Sequence, residues 1–270
     1  MIEKYIERDG IKIHYWLGGK NEAPLVVFTH GATVDHHEWD KTLPIVCEHF
    51  RVMAWDVRGH GKSRPSRLSF KEALKDLIGI LDELGVDQAY FVGHSMGGNL
   101  HQELVFNFPE RVKGMVFVDC TWNFQKLTAL ESFSLSIAGP IFKIYPYSTL
   151  INQSLSVTAT TRESQEILRP AMEGLSKDEF VQILLETSSC LHYEPGYQIK
   201  KPLLLIVGDK DKTGNIRKIM PIWAQNEPDC KFVVIPNAKH AVNLDNPTSF
   251  NQEVLQFLFK IENIKPEVGQ

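Results

Sequence analysis

Six uninterrupted apolar runs pace this chain of 270 residues: Leu25-Val26-Val27-Phe28, Val52-Met53-Ala54-Trp55, Tyr90-Phe91-Val92, Met115-Val116-Phe117-Val118, Leu203-Leu204-Leu205-Ile206-Val207 and Phe232-Val233-Val234-Ile235. A strand with one wet face alternates apolar and polar side chains, so runs without alternation predict strands buried on both faces. Each is far too short to span a membrane. Helical patterns fall between them. Ser69 and Glu72 have capping-box spacing, Leu74, Leu77, Ile78, Leu81 and Leu84 follow at helical intervals, and Gly85 stands where the helix would end. A closing helix is predicted from Asn246-Pro247 through Phe250, Val254, Leu255, Leu258 and Ile261. Strands that alternate with helices predict a mostly parallel sheet covered on both sides. Ahead of them, residues 2–8 and 11–16 alternate around Asp9-Gly10, which predicts an antiparallel hairpin at a sheet edge, closed by Gly18-Gly19.

The alternation lapses between about Thr121 and Gly196. Thr160 with Glu163 and Ser176 with Glu179 have capping-box spacing there, and the stretch is predicted to be a helical insertion. Residues 1–121 and 197–270 would then form the core domain and 122–196 the insertion. The first half of the insertion is apolar and aromatic, broken by Gly139-Pro140. A cap folded over a pocket fits this pattern, with Trp122, Phe133, Phe142 and Tyr145 expected to line it. Arg162 and Arg169 flank Glu166 at helical spacing and read as a solvated ion-pair face rather than a carboxylate site.

In an open parallel sheet ligands gather at the carboxyl ends of the strands, so the residues just after each run carry the chemistry. Tyr90-Phe91-Val92 leads into Gly93-His94-Ser95-Met96-Gly97 and then a helical run through Leu100, Leu104 and Val105. This is G-x-S-x-G between strand and helix, a turn that thrusts its serine out in a strained backbone. Gly93 and Gly97 remove side chains that would collide across it. A serine hydroxyl becomes a useful nucleophile only when a histidine takes its proton and a carboxylate orients that histidine. Asp211, in Gly208-Asp209-Lys210-Asp211, and His240, in Ala238-Lys239-His240, follow the seventh and eighth strands and supply both. Asp119, after the sixth strand, and Asp209 compete for the acid's place.

Five features together resemble the α/β-hydrolase superfamily over the whole chain except the insertion. They are His30-Gly31 after the third strand, Asp56-Val57-Arg58-Gly59-His60-Gly61-Lys62-Ser63 after the fourth, the elbow Gly93–Gly98, G-x-x-D from Gly208, and the late His240. The resemblance implies an α/β-hydrolase fold, a mostly parallel eight-stranded sheet flanked by helices with a helical cap after the sixth strand. It implies a Ser95, Asp211, His240 triad in the family's chain order, and an oxyanion hole made by the backbone N–H groups of Ala32 and Met96. The activity implied is that of a carboxylesterase-like serine hydrolase. Its substrate would be a small-molecule ester or related acyl compound with an apolar group, its intermediate an acyl-serine, with no metal and no organic cofactor. Ser95 in place of an aspartate sets the chain apart from the haloalkane dehalogenase and epoxide hydrolase branches. Ala241 and His94 depart from the pattern of the carbon–carbon bond hydrolases. A cofactor-free perhydrolase or lyase, a carbon–carbon hydrolase on the same triad, and a slow-turnover ligand receptor are the competing readings.

A net charge of −4 with 23% charged residues leaves no basic excess for nucleic acid or an anionic membrane. Cys47, Cys120, Cys190 and Cys230 form no C-x-x-C pair and read as free thiols in a reducing compartment. With no signal-peptide core at the N-terminus, a cytoplasmic protein without a membrane span is expected. Gly61-Lys62-Ser63 looks like the end of a P-loop, but the glycine that motif requires first falls on Asp56. His36-His37-Glu38 with Asp40 lacks metal-ligand spacing, adjacent histidines at a helix start being expected to point apart. His94 is expected to pack or hydrogen-bond rather than act as a base.

Overall fold

The computed structural model describes residues 1–264, so the second core segment, expected to reach 270, is described as far as Ile264. Asp9 and Gly10 both take positive φ, +52° and +76°, the turn that matches the twist of a two-residue hairpin. It joins β1 (Ile2–Arg8) to β2 (Ile11–Gly19), which lies antiparallel to β4 (Arg51–Trp55). The remaining strands run parallel: β3 (Leu25–Thr29), β5 (Ala89–His94), β6 (Val112–Val118), β7 (Leu203–Gly208) and β8 (Cys230–Ile235). Among the described residues the order is β1-β2-β4-β3-β5-β6-β7-β8. The chain moves from β3 outward to β4 and then returns to β5 on the other side of β3. That reversal opens a crevice at the carboxyl ends of β3 and β5.

Successive strand residues point to opposite faces, so each apolar run feeds two cores. Val27, Phe91, Met115 and Leu205 pack with α2 (Phe70–Glu83), α3 (Met96–Asn107) and α8 (Ile216–Asn226). Val26, Val92, Val116 and Leu204 pack with α1 (Leu43–Cys47) and α10 (Pro247–Glu262). The short α9 (Val242–Asp245) follows the eighth strand. β8 departs from the expectation of burial on both faces. It is an edge strand, with Phe232 and Val233 half-buried and Val234 51% exposed. An apolar run reports its own side chains, not whether a further strand lies beside it.

The insertion comprises α4 (Ala129–Ile144), α5 (Tyr147–Thr158), α6 (Arg162–Glu173) and α7 (Lys177–Glu186), all between β6 and β7. The capping box at Ser176 and Glu179 forms in both directions. The box expected at Thr160 does not form: Thr161 is the N-cap, accepting the Ser164 N–H, and the Thr160 N–H donates to the Asp245 carboxylate. At α2 only half of the box forms, since the Glu72 carboxylate turns to Lys75. Arg162 pairs with Glu166 as expected, whereas Arg169 pairs with Glu173. Among the described residues no helix is long and apolar enough to cross a membrane.

Candidate active site

Where β5 ends, Ser95 takes φ +48° and ψ −114°, a conformation costly for any residue with a side chain. Its N–H donates to the Val118 carbonyl at 2.9 Å, which fixes the turn between β5 and α3. A Cβ on Gly93 would lie 2.6 Å from the Gly97 backbone, and one on Gly97 2.3 Å from the Thr29 carbonyl. Gly98 is as constrained, 2.7 Å from Cys120 Sγ, a requirement the five-residue motif does not include.

His240, on the loop between β8 and α9, places Nε2 2.9 Å from Ser95 Oγ and Nδ1 3.1 Å from Asp211 Oδ2. The other Asp211 oxygen accepts the Thr213 N–H at 2.8 Å. Burial works against the Asp211 charge, but His240 and Thr213 outweigh it and hold the carboxyl below its ordinary range. An ionised Asp211 assigns the proton to Nδ1 and leaves Nε2 free to accept the serine proton. The two loops can meet because Gly208 closes β7, where a Cβ would come 2.3 Å from the Lys239 carbonyl.

The competing aspartates are spent elsewhere. Asp209 accepts the Ala238 N–H at 3.1 Å and braces the histidine loop. Asp119 accepts the Gly208 N–H at 2.9 Å, and one of its oxygens lies within 4.8 Å of Asp211 and His240. It is wholly buried, and burial together with the Asp211 charge pushes its carboxyl well above the ordinary range. Burial and mutual repulsion therefore favour the charge on Asp211 over one on Asp119.

Ala32 lies on the loop after β3, and Met96 is the first residue of α3. Neither backbone N–H donates to a protein acceptor among the described residues. The loop that carries Ala32 is braced by two histidines. His30 Nε2 accepts the Val57 N–H and His60 Nε2 accepts the Thr33 N–H, with burial pulling His60 down to about 3. Arg58, in the loop after β4, forks onto Asp76 of α2 at 2.6 and 2.7 Å. Lys62 of the P-loop look-alike donates its N–H to Asp56 at 2.7 Å. His36 and His37 do not point apart, their rings lying 4.1 Å from one another, but their Nδ1 atoms face Asp56 and Asp40 respectively.

The four aromatic residues expected to line one pocket are dispersed. Trp122 is half-buried and stacks parallel to Trp223 at 6.1 Å, and Phe142 is half-buried against the apolar cluster that includes residues of α5 to α7. Phe133 and Tyr145 are 60% and 43% exposed. A cavity of about 890 Å³ opens at the opposite end of the sheet, beside Leu25, Arg51, Val86 and Lys113, far from Ser95. Two of its three cations, Arg111 and Lys113, are paired with Asp82 and Glu262. Sequence reasoning also missed Glu38, which is 1% exposed and paired with His94. Nothing in the sequence separates it from the exposed Asp40 two residues on.

The family model for the alpha/beta hydrolase fold matches residues 24–247. The chain is similar to a carboxylesterase of Bacillus subtilis (strain 168), 26% identical over 267 residues that cover 92% of this chain and 84% of the relative. It is also similar to the 2-(acetamidomethylene)succinate hydrolase of Mesorhizobium japonicum, 24% identical over 250 residues, 88% of this chain and 89% of that one. Among solved structures, the enol-lactonase from Burkholderia xenovorans LB400 superposes with a TM-score of 0.82 at 21% identity, covering 94% of this chain and 99% of that chain.

Proposed function

Because the chain belongs to the α/β hydrolase family, we propose that it is a serine hydrolase of the carboxylesterase kind, acting on a small-molecule ester or related acyl compound. The observation that carries this reading is the continuous series Ser95 Oγ, His240 Nε2, His240 Nδ1 and Asp211 Oδ2, with the serine held on a strained turn. Ser95 Oγ attacks the acyl carbon while His240 Nε2 takes its proton, and Asp211 stabilises the imidazolium that forms. The carbonyl oxygen, now negative, is received by the N–H groups of Ala32 and Met96, where each donor contributes about 3 to 4 kcal/mol. His240 returns the proton to the departing alcohol, leaving an acyl-serine. Water, deprotonated by the same histidine, then releases the acid. α4 to α7 stand as a cap over this site, and their apolar content favours an apolar acyl or alcohol group. The similarity to a protein named carboxylesterase supports the ester bond as the one cleaved.

Chromogenic esters of increasing acyl length test the proposal, with a serine-directed phosphonate as the covalent probe. The relative named for a succinate derivative makes an anionic ester a necessary control. Turnover of apolar esters and labelling that vanishes in Ser95→Ala are expected. Labelling that persists in Ser95→Ala overturns the nucleophile. A wild-type protein that labels but turns over no ester points instead to the lyase, perhydrolase, carbon–carbon hydrolase or receptor readings.

A further inference from the structure

Glu38 sits wholly buried in the 3-10 turn His36–Trp39, and both its side chain and its backbone reach toward the machinery proposed above. Oε2 accepts the N–H of Gly31, the residue before Ala32, at 2.8 Å. Oε1 lies 2.8 Å from His94 Nδ1, an ion-pair approach in which neither atom is aligned for a hydrogen bond with any partner among the described residues. The Glu38 carbonyl accepts from Asn243 Nδ2 at 2.8 Å, in the helix that follows His240. On its other side, His94 Nε2 lies 2.8 Å from the His240 carbonyl oxygen.

A carbonyl oxygen can only accept, so His94 Nε2 carries a proton, and Nδ1, facing a carboxylate, carries the other. The geometry makes an imidazolium–carboxylate pair in the interior. Burial opposes both charges, but Glu38 holds His94 above its ordinary value, and His94 with the Gly31 N–H holds Glu38 below its own. Gly31 is packed directly on the pair, since a Cβ there would come 2.7 Å from His94 Nδ1.

We propose that Glu38 and His94 are positioning residues that tie the loop carrying Ala32 and the loop carrying His240 into one frame, so that both keep their places relative to Ser95. The inference rests on the serine-hydrolase reading. A buried ion pair adds little net stability, because desolvating two charges offsets their attraction. The hydrogen bonds its two members make outward, with the Gly31 N–H, Asn243 Nδ2 and the His240 carbonyl, are another matter, for they reach two loops far apart in sequence that must act on the same reacting carbon. An error of about 1 Å in such placement is enough to cost about a hundredfold in rate.

Three variants test it: Glu38→Gln, which keeps size and an acceptor for Gly31; His94→Gln, which removes the cation; and Gly31→Ala, which presses on the pair from the other side. Ester kcat and KM, the rate of phosphonate labelling and the Tm are read together, at a temperature well below the lowest Tm. Each variant is expected to lose at least tenfold in kcat and labelling rate, with KM within about twofold of wild type. The Glu38→Gln, His94→Gln double variant should lose no more than the worse single one, as residues acting as a unit do. A folded Glu38→Gln protein with wild-type kcat overturns the proposal. So does a loss of kcat that disappears on cooling, which would make the pair merely structural. If His94→Gln does not fold, the other two carry the same test. Failure of the underlying reading looks different, since the wild-type protein itself would then fail to label or would label and turn over no ester.

Discussion

Asp119, at the end of β6, is a titratable residue with no exposure at all, whereas Leu130, a short way down the chain in α4, is apolar and 74% exposed. The same inversion separates the two regions they belong to. At the strand ends, Glu38, His94, Asp119, Asp211 and His240 are all buried, each engaged by a named neighbour. Along α4, Phe133, Leu135, Ile137, Ile141 and Ile144 are exposed, and Gly139 is its only fully buried residue among those described. The remainder of the insertion is tied down. The Ala241 N–H donates to the Thr158 carbonyl, Arg64 forks onto Glu179, and Gln182 reaches the Leu68 carbonyl. Buried polar groups need fixed partners, so the strand ends are rigid by necessity, while a helix with little buried surface opens at low cost.

If the strand ends form one reacting unit, single changes there should be catastrophic for activity and mild for folding. Ser95→Ala removes the nucleophile without changing the turn's glycines, and kcat is expected to fall by about a millionfold with the fold retained. An ester assay, with circular dichroism as the check on folding, decides it. Asp211→Asn comes next. The amide keeps the shape but no longer demands a proton on His240 Nδ1, so the imidazole loses its tautomer and a loss of about ten-thousandfold is expected. Should Asp211→Asn keep near wild-type kcat while Asp119→Asn loses it, the acid belongs after the sixth strand.

Asp119→Asn sharpens the comparison from within the site. Asn copies a protonated carboxyl, with an acceptor for the Gly208 N–H and a donor toward Asp211, so kcat should change by no more than about threefold. Stability should respond instead. Burial and the Asp211 charge raise the Asp119 carboxyl in the native state above the ordinary value of about 3.9 that it has in the unfolded chain. The native state thus binds more protons, and wild-type stability falls as pH rises from there toward the raised native value. Replacing the group removes this penalty. The Tm of Asp119→Asn minus that of wild type is expected to grow as pH rises above about 4, and a flat difference would mean a native Asp119 carboxyl that is not raised.

What was legible in the sequence follows the same division. Val27, Phe91 and Leu205 announced buried strands because a run without alternation has few other homes, and Gly93 and Gly97 announced the turn because steric exclusion is local. Ser95 and His240 follow from their places after strands, whereas Asp211 was set before Asp119 and Asp209 only by the resemblance to the family's G-x-x-D pattern. Glu38 was illegible, since its burial depends on His94, which lies on a different strand end. The raised Asp119 carboxyl depends in part on Asp211, far away in sequence. α4 misleads in the other direction. Its Leu, Ile and Phe residues have the composition of a core helix, and only the three-dimensional packing leaves them in solvent.

The smallest expected effect is the one that bears on α4 itself. Phe133 is 60% exposed and Phe142 is half-buried, though both sit on one helix and both were expected to line the pocket. Phe133→Ala should therefore change stability by less than about 0.5 kcal/mol, as surface substitutions do. Phe142→Ala, partly buried, should cost about 1 to 2 kcal/mol, below the 3 to 5 of a fully buried phenylalanine. Chemical denaturation separates these two values. The ester series then asks whether the exposed residues meet substrate. A helix that stays where it stands gives Phe133→Ala the wild-type order of acyl-length preference. If Phe133→Ala reorders the series while leaving stability unchanged, α4 closes over Ser95 when the ester binds, and its exposed apolar face is the acyl-binding wall in its open position. The contrast with the strand ends would then be one of timing, a site partly built in advance and partly completed by the substrate.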